Sequence, residues 1–233
     1  VNTILKEEEL KETEEMIHAL YRIGVDALIV QDMGITKLNL PPIPLHASTQ
    51  MDNRTPEKVR FLWEAGFRQV VLARELSLRE IKNIHTACPE TPLEVFVHGA
   101  LCYCYSGQCL YSSMLGGRSG NRGQCAQPCR LPYKVNGSKE SSYVLSLKDI
   151  CTLEYIPELV EAGIDSFKIE GRMKKPEYVA LVTAMYRKYT DQYLEHGEKA
   201  FYIDPKDRQM LMDLYNRGGS HGGYSVSYTH LRA

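Results

Sequence analysis

The sequence predicts an α/β protein, an incomplete TIM-like (β/α) barrel with a cysteine-rich insertion loop, and three observations carry that reading. An amphipathic helix, a glycine and a short apolar strand recur in that order three times along the chain. Each of those strands ends in polar residues, and no glycine-rich dinucleotide fingerprint follows any of them. Short strands alternating with helices imply parallel strands joined by right-handed crossovers. Polar residues gathered at C-terminal strand ends are where an α/β barrel carries its site. An open doubly wound sheet is the alternative, weakened by the missing fingerprint.

Val1-Asn2-Thr3 reads as the end of a strand, so two or so barrel strands are expected before residue 1. Glu7 to Ile23 sets Leu10, Ile17, Leu20 and Tyr21 on one helical stripe, and Gly24 stops that helix. Val25 to Val30 is the following strand, ending at Gln31-Asp32, and Pro44 to Thr49 the next, ending at Ser48-Thr49-Gln50. Pro56 to Ala65 forms a helix; after Gly66, Gln69 to Ala73 is a strand that ends at Arg74-Glu75. Leu93 to Val97 ends at His98. Thr152 to Ala162, then Gly163, then Ile164 to Ile169 repeat the unit and end at Glu170-Gly171-Arg172. A long helix opened by Pro176 and closed by Gly197 places Tyr178, Val182, Met185, Tyr186, Tyr189 and Tyr193 at helical spacing, as a helix packed on a barrel wall would. The barrel portion, with its cysteine-rich loop at 99–133, is therefore expected over 1–197, and 198–233 as a C-terminal extension. Within that extension Arg217 to Gly223 reads as a flexible turn, and Ser225 to Ala233 loses all periodicity, as residues foreign to the native chain would.

Length and composition bound the function. A chain of 233 residues buries a substantial core, and 43% hydrophobic with 24% charged residues is ordinary for a globular protein. The formal net charge of −1 means that an anionic partner must be met by a local patch. No long apolar run and no cleavable leader are present, which excludes a membrane span and makes the cytoplasm the expected compartment. Seven cysteines, five of them between residues 102 and 129, suit metal binding in a reducing compartment better than a disulfide framework.

The stretch from His98 to Tyr133 holds Cys102, Cys104, Cys109, Cys125 and Cys129 among glycines and polar residues. A crossover this long is more often functional than accidental. Thiolates are soft ligands, and four of them suit tetrahedral zinc or a four-iron cluster. Structural zinc usually takes paired knuckles of close spacing, whereas six residues separate Cys102 from Cys109 and three separate Cys125 from Cys129. From Val95 to Lys139 there is no Asp or Glu, but Arg118, Arg122, Arg130, Lys134 and Lys139 are present. Those cations would stabilise the net negative charge of four thiolates around an iron–sulfur core. The residues favour the cluster, with zinc and reduced structural cysteines as alternatives.

Glu94 to Cys102, Tyr105-Ser106-Gly107-Gln108-Cys109 and Gly123-Gln124-Cys125-Ala126-Gln127-Pro128-Cys129-Arg130 resemble the signature of the peptidase U32 family. Leu45 to Gln50, Val71 to Ser77 and Ser166 to Lys174 are similar to its other blocks, and the likeness runs to about Tyr224. The resemblance implies oxygen-independent hydroxylation rather than the proteolysis of the family's label. Branches of the family modify a uridine of the tRNA anticodon or a cytidine of 23S ribosomal RNA, or act in ubiquinone synthesis. Several hold a [4Fe–4S] cluster through cysteines of this segment, and the RNA branches draw on prephenate. The run from Leu115 to Gly123 most resembles the RNA branches. By position Cys102, Cys109, Cys125 and Cys129 match the four ligands; in some ubiquinone-branch members a ligand lies further downstream, where this chain has Cys151. The expected partners are RNA, either tRNA or rRNA, together with a paralogue or a second copy of the chain.

His46 and His98 each end a strand, where an unpaired imidazole can take a proton, and with Glu170 they are the catalytic candidates. Gln50, Arg74, Glu75, Arg118, Arg122, Lys168 and Arg172 are the substrate-binding candidates. Arg74 or Arg172 could clamp the carboxylates of a small acid such as prephenate, and interstrand ion pairs at the rim are the competing role for such residues. Cys88 and Cys104 are read as bystanders. A U32-type peptidase is the rival function, although neither H-E-x-x-H nor G-x-S-x-G occurs.

Overall fold

The repeating unit folds as parallel β/α steps in the computed structural model, which describes residues 1–137 and 139–225. A 3₁₀ turn at Glu7–Glu9 leads into helix α1 (Leu10–Arg22), which buries Thr13 and Ile17, and the chain turns at Gly24 into strand β1 (Leu28–Val30). Strand β2 is Leu45–Ala47. Helix α2 (Pro56–Glu64) starts with Pro at its first turn, and the Thr55 hydroxyl accepts from the Lys58 N–H at 3.3 Å. After β3 (Gln69–Val71), helix α3 (Leu78–Ala87) opens on a reciprocal cap in which Ser77 N–H donates to the Glu80 carboxylate at 2.7 Å. Strand β4 (Leu93–Gly99) is buried along its whole length. Then follow α4 (Tyr111–Gly116), β5 (Asp149–Cys151), α5 (Ile156–Glu161), β6 (Ser166–Ile169), α6 (Pro176–His196), α7 (Pro205–Asp213) and β7 (Ser220–His221).

Strands β1, β2, β3, β4 and β6 lie side by side and parallel, with Ile29 opposite His46, Ala47 opposite Val70, Val71 opposite Glu94 and Phe96 opposite Lys168. Helices α1, α2 and α3 cover this sheet with Ile17, Val59, Leu62, Ile81 and Ile84, which pack in one core with Val30, Val70, Leu93 and Val95. Each such side chain contributes about 1.5–3 kcal/mol by leaving water. Among the described residues no helix is long and apolar enough to cross a membrane.

The sheet is α/β and mainly parallel, but it runs as an open path from β1 to β7. Strand β5 pairs antiparallel with the end of β4, His98 opposite Cys151, and β7 runs parallel to β5. A register shift between Phe96 and His98 makes this change possible: the Val97 carbonyl accepts from Thr152 N at 3.0 Å, Thr152 Oγ1 at 3.1 Å and the Tyr186 hydroxyl at 2.7 Å.

Two expectations are corrected here. Val1–Thr3 forms no strand. The segment Arg217 to Gly223 is not a free turn, because Ser220–His221 is β7. Its glycines serve close approach: a Cβ at Gly222 would enter the Tyr155 ring, and one at Gly223 would meet Ile150. The segment after 197 packs against the rest of the chain: Leu211 and Tyr224 are buried and the Tyr224 hydroxyl donates to the Phe96 carbonyl at 2.7 Å. Residues 226–233, where the sequence loses periodicity, lie outside the described residues.

Candidate functional site

The cysteine-rich loop is bolted to the C-terminal ends of the strands. Glu75, 6% exposed just beyond β3, accepts from both Ser106 N and Ser106 Oγ at 2.9 Å. Beyond β2, Gly107 (φ +74°) presses so closely on the Gln50 carbonyl that a Cβ has no room. The Asn121 amide donates to the Gly107 carbonyl at 2.8 Å, and Gln31, beyond β1, donates to the Asn121 side-chain oxygen at 3.2 Å. Arg122 grips Glu9 through two hydrogen bonds of 2.6 and 2.7 Å and donates to the Ile4 carbonyl at 2.8 Å. On the far limb Arg130 donates to Ser146 Oγ at 2.9 Å, to the Leu147 carbonyl at 2.8 Å and to the Leu101 carbonyl. Glu75, Gln50 and Arg122, expected to meet substrate, therefore position the loop.

All seven thiols are unpaired. Five of them, Cys102, Cys104, Cys109, Cys125 and Cys129, are linked by electrostatic action of one on another. Burial pushes the Cys102 thiol up, with Cys109 and Cys125 adding to the effect and Arg74 opposing it. Burial also raises Cys129, with Cys102, Cys125 and Cys109 adding and Arg130 opposing. Cys104 is raised by burial and by Cys109 and Cys102. The Gln127 N–H donates to Cys125 Sγ at 3.4 Å. Cys151 sits apart, its sulfur 3.9 Å from the Tyr186 hydroxyl, and its thiol is raised by burial with Glu154 adding. Cys88 is fully buried and donates to the Pro56 carbonyl at 3.4 Å.

Among the described residues no three His, Cys, Asp or Glu side chains converge as the ligands of a single ion would. Four soft donors on one loop, with Arg74 and Arg130 beside them and a backbone N–H on one sulfur, fit the cluster's chemistry.

At the rim, Arg74 Nη2 pairs with Glu170 at 3.0 Å and its guanidinium lies 3.8 Å from the centre of the Phe96 ring. His98 is buried and edge-on to Tyr178 (5.9 Å) and Tyr186 (5.7 Å), and desolvation lowers it to about 4, so it is neutral at physiological pH. His46 and Lys168 belong to a different place. Lys168 Nζ pairs with Glu94 at 2.6 Å, and Glu94 also accepts from Gln69 at 2.5 Å and Ser166 at 3.2 Å. His46, lowered by burial, lies within reach of Glu94. Glu94 precedes His98 by four residues, or roughly 13 Å of strand, and with Gln69 and Ser166 at the starts of β3 and β6 the cluster lies toward the N-terminal ends of the strands, away from the rim that carries the loop. Arg118 and Arg172 are exposed, Arg118 donating to the Gln124 carbonyl at 3.0 Å. The sequence reading missed Asp149, Lys174 and Arg217 around His98; only the pairing of β5 with β4 brings Asp149 there.

Comparison with known proteins adds three kinds of likeness. The family described as Peptidase family U32 matches residues 1–232. The 23S rRNA 5-hydroxycytidine C2501 synthase of Escherichia coli (strain K12) is 51% identical over 84% of this chain and 30% of its own length. The tRNA hydroxylation protein P1 of Bacillus subtilis (strain 168) is 37% identical over 93% of this chain and 54% of its own. A collagenase of Porphyromonas gingivalis (strain ATCC BAA-308 / W83) is 33% identical over 96% and 58%. The solved U32 peptidase Mk0906 aligns with a TM-score of 0.41 at 12% identity, over 72% of this chain and 63% of that one. The chain thus spans between 30% and 58% of the three sequence relatives. Matched almost from end to end by the family and by relatives up to 51% identical, this protein belongs to peptidase family U32.

Proposed function

We propose that the chain is the cluster-bearing part of a cytoplasmic enzyme that hydroxylates RNA, tRNA or rRNA, without molecular oxygen, holding a [4Fe–4S] cluster on Cys102, Cys109, Cys125 and Cys129 and drawing on prephenate as co-substrate. The observation that carries the reading is a loop locked to the strand ends on which Cys102 and Cys129 each have Cys109 and Cys125 among the charges acting on them. Cys151, the rival for the fourth position, has none of the four thiols among the groups acting on it. The names of the relatives from E. coli and B. subtilis support the RNA reading.

When bound, the cluster supplies one-electron chemistry. The chain's own groups do the rest. Arg74 and Arg130 offset thiolate charge, and His98 stays neutral at the rim. Exposed Arg118, Lys134 and Lys139, on a segment without carboxylates, face the RNA phosphates. The collagenase name of one relative supports a peptidase as second reading. Burial raises the thiols of Cys102 and Cys129, the opposite of what activates a nucleophile.

The test uses full-length protein purified without oxygen, with iron and sulfide counted per chain. In parallel, rRNA and tRNA nucleosides are weighed from a strain lacking the gene and complemented with wild type or Cys109→Ala. Four irons per chain, and a hydroxylated nucleoside restored by wild type alone, are expected. Stoichiometric zinc without iron, or no change in either RNA, would overturn the proposal.

A further inference from the structure

Cys104, which the proposed cluster does not use, stands at one end of a tight turn. Tyr105 to Gln108 is closed by the Gln108 N–H donating to the Tyr105 carbonyl at 3.1 Å, with Gly107 at φ +74° in the third position, as a type II turn requires. Cys109 leaves the other end. A β-turn brings its first and fourth Cα atoms within about 7 Å, and Cys104 and Cys109 lie one residue outside it, one on each arm. The two are close enough for the Cys109 side chain to hydrogen-bond with the Cys104 thiol. Disulfides join Cα atoms about 4.4–6.8 Å apart, a span that the facing arms of a tight turn provide.

Each residue of the turn is held from outside. The Arg54 guanidinium lies 4.6 Å from the centre of the Tyr105 ring, Glu75 binds Ser106, the Gln50 carbonyl abuts Gly107, and Gln108 Nε2 donates to Asp52 at 3.3 Å. The two thiols therefore sit side by side on a fixed support, and both are partly exposed.

We propose that Cys104 and Cys109 are a redox-active dithiol whose substrate is a small-molecule disulfide of the oxidised-glutathione class. Cys109 Sγ attacks one sulfur of that disulfide and its S–S bond breaks, releasing one thiol; Cys104 Sγ then attacks Cys109 Sγ and releases the second. The protein thiols give two electrons to the small disulfide, and their two protons end on the two thiols released. The second attack is intramolecular, which is where the fixed turn contributes to the rate. Accessible thiols beside a resolving partner are the ones that sense oxidants, and in a reducing compartment such a pair stays open until the thiol pool is oxidised. Closing it withholds Cys109 from iron. That consequence rests on the reading of Cys109 as a cluster ligand; the disulfide itself does not.

The experiment treats metal-free, full-length protein with oxidised glutathione, blocks the thiols left over with iodoacetamide, and digests with chymotrypsin. Cuts after Tyr103, Tyr105 and Leu110 separate Cys104 from Cys109. Expected by mass spectrometry is Cys104-Tyr105 joined through a disulfide to Ser106–Leu110. In Cys104→Ser nothing resolves the mixed disulfide, and at least about tenfold more glutathione should stay on Cys109 than in wild type. If the serine variant does not fold, as judged by its thermal melt, Cys104→Ala is read in the same way. Glutathione left on Cys109 of the wild type, or Cys109 joined to Cys102, Cys125 or Cys129, overturns the proposal. So does loss of iron from reduced, reconstituted Cys104→Ser, which would make Cys104 a ligand. The disulfide in a protein that never holds iron would count against the cluster and leave the pair standing. A loaded cluster in a protein that never forms the disulfide would do the reverse.

Discussion

Replacing Glu75 by alanine removes the acceptor of both Ser106 hydrogen bonds, each 2.9 Å long and buried. Hydrogen bonds to a charged group contribute about 1.5–3 kcal/mol each, and the stranded N–H and hydroxyl keep their desolvation cost. Ser106 is only 3% exposed, so water does not readily replace the carboxylate. The ordered loop should lose roughly 3–5 kcal/mol, which at about 1.4 kcal/mol per decade is about two to three and a half orders of magnitude in its population. Glu75→Gln retains one acceptor and should lose about half of that free energy. The assay has two arms: iron per chain after anaerobic reconstitution at limiting iron, and the alkylation rate of Cys109 in metal-free protein, with circular dichroism to verify that the sheet persists. Expected are a large loss of iron and a much faster Cys109 reaction in Glu75→Ala, with Glu75→Gln between. A Glu75→Ala protein that holds iron at the wild-type level, with Cys109 reacting at the wild-type rate, would refute the reasoning.

Further outcomes follow from other contacts. Cys129→Ala should abolish iron binding and Cys151→Ala should leave it intact, because Cys129 is acted on by the other three thiols whereas Cys151 faces Tyr186; iron analysis giving the reverse order would move the fourth ligand downstream. Burial holds His98 near 4 against 6.5 when exposed, so between those values the unfolded chain takes a proton that the folded one refuses. The sign is therefore full stability above about pH 6.5 and a loss of roughly 3 kcal/mol on the way down to pH 4, and His98→Phe should flatten that part of the Tm-against-pH curve; an unaltered slope would reject the assignment. Arg118→Ala should reduce the salt slope of RNA binding by about one, as expected for one lost phosphate contact. Arg122→Ala should instead leave that slope unchanged and expose the loop to protease, because Arg122 is already held by Glu9 and the Ile4 carbonyl.

The parallel strands were legible because each repeats a local signal. A helix with one apolar stripe stops at Gly24, Gly66 or Gly163, and an apolar strand follows that is too short for anything but a buried sheet. The polar residues at their ends were legible for the same reason. What could not be read was choice of partner. Strand β5 has three residues, Asp149-Ile150-Cys151, after a long irregular stretch, so it offers no periodicity, and its antiparallel alignment depends on a register shift in β4. Strand β7 hides among glycines whose purpose is contact with Tyr155 and Ile150. Glu75 and Arg122 were visible as charged residues in suggestive places, but the groups they hold are 31 and 113 residues away in the sequence. His46 and Lys168 looked like rim residues because strand boundaries shifted by a residue or two move a side chain along the strand, and only Glu94 shows where they meet.

The anchoring of the cysteine loop also fixes an order of events. Its contacts join positions 31, 57, 90 and 113 residues apart, and closing such spans costs chain entropy that is recovered only once the strand ends are in place. The loop is therefore the late-ordering part of the molecule, and its sulfurs assemble on a platform already built. During biosynthesis this leaves an interval in which the sheet is folded and the thiols are still separate. In that interval they are open to oxidation and to adventitious metals, and on the proposed reading delivery of iron has to compete with both in time.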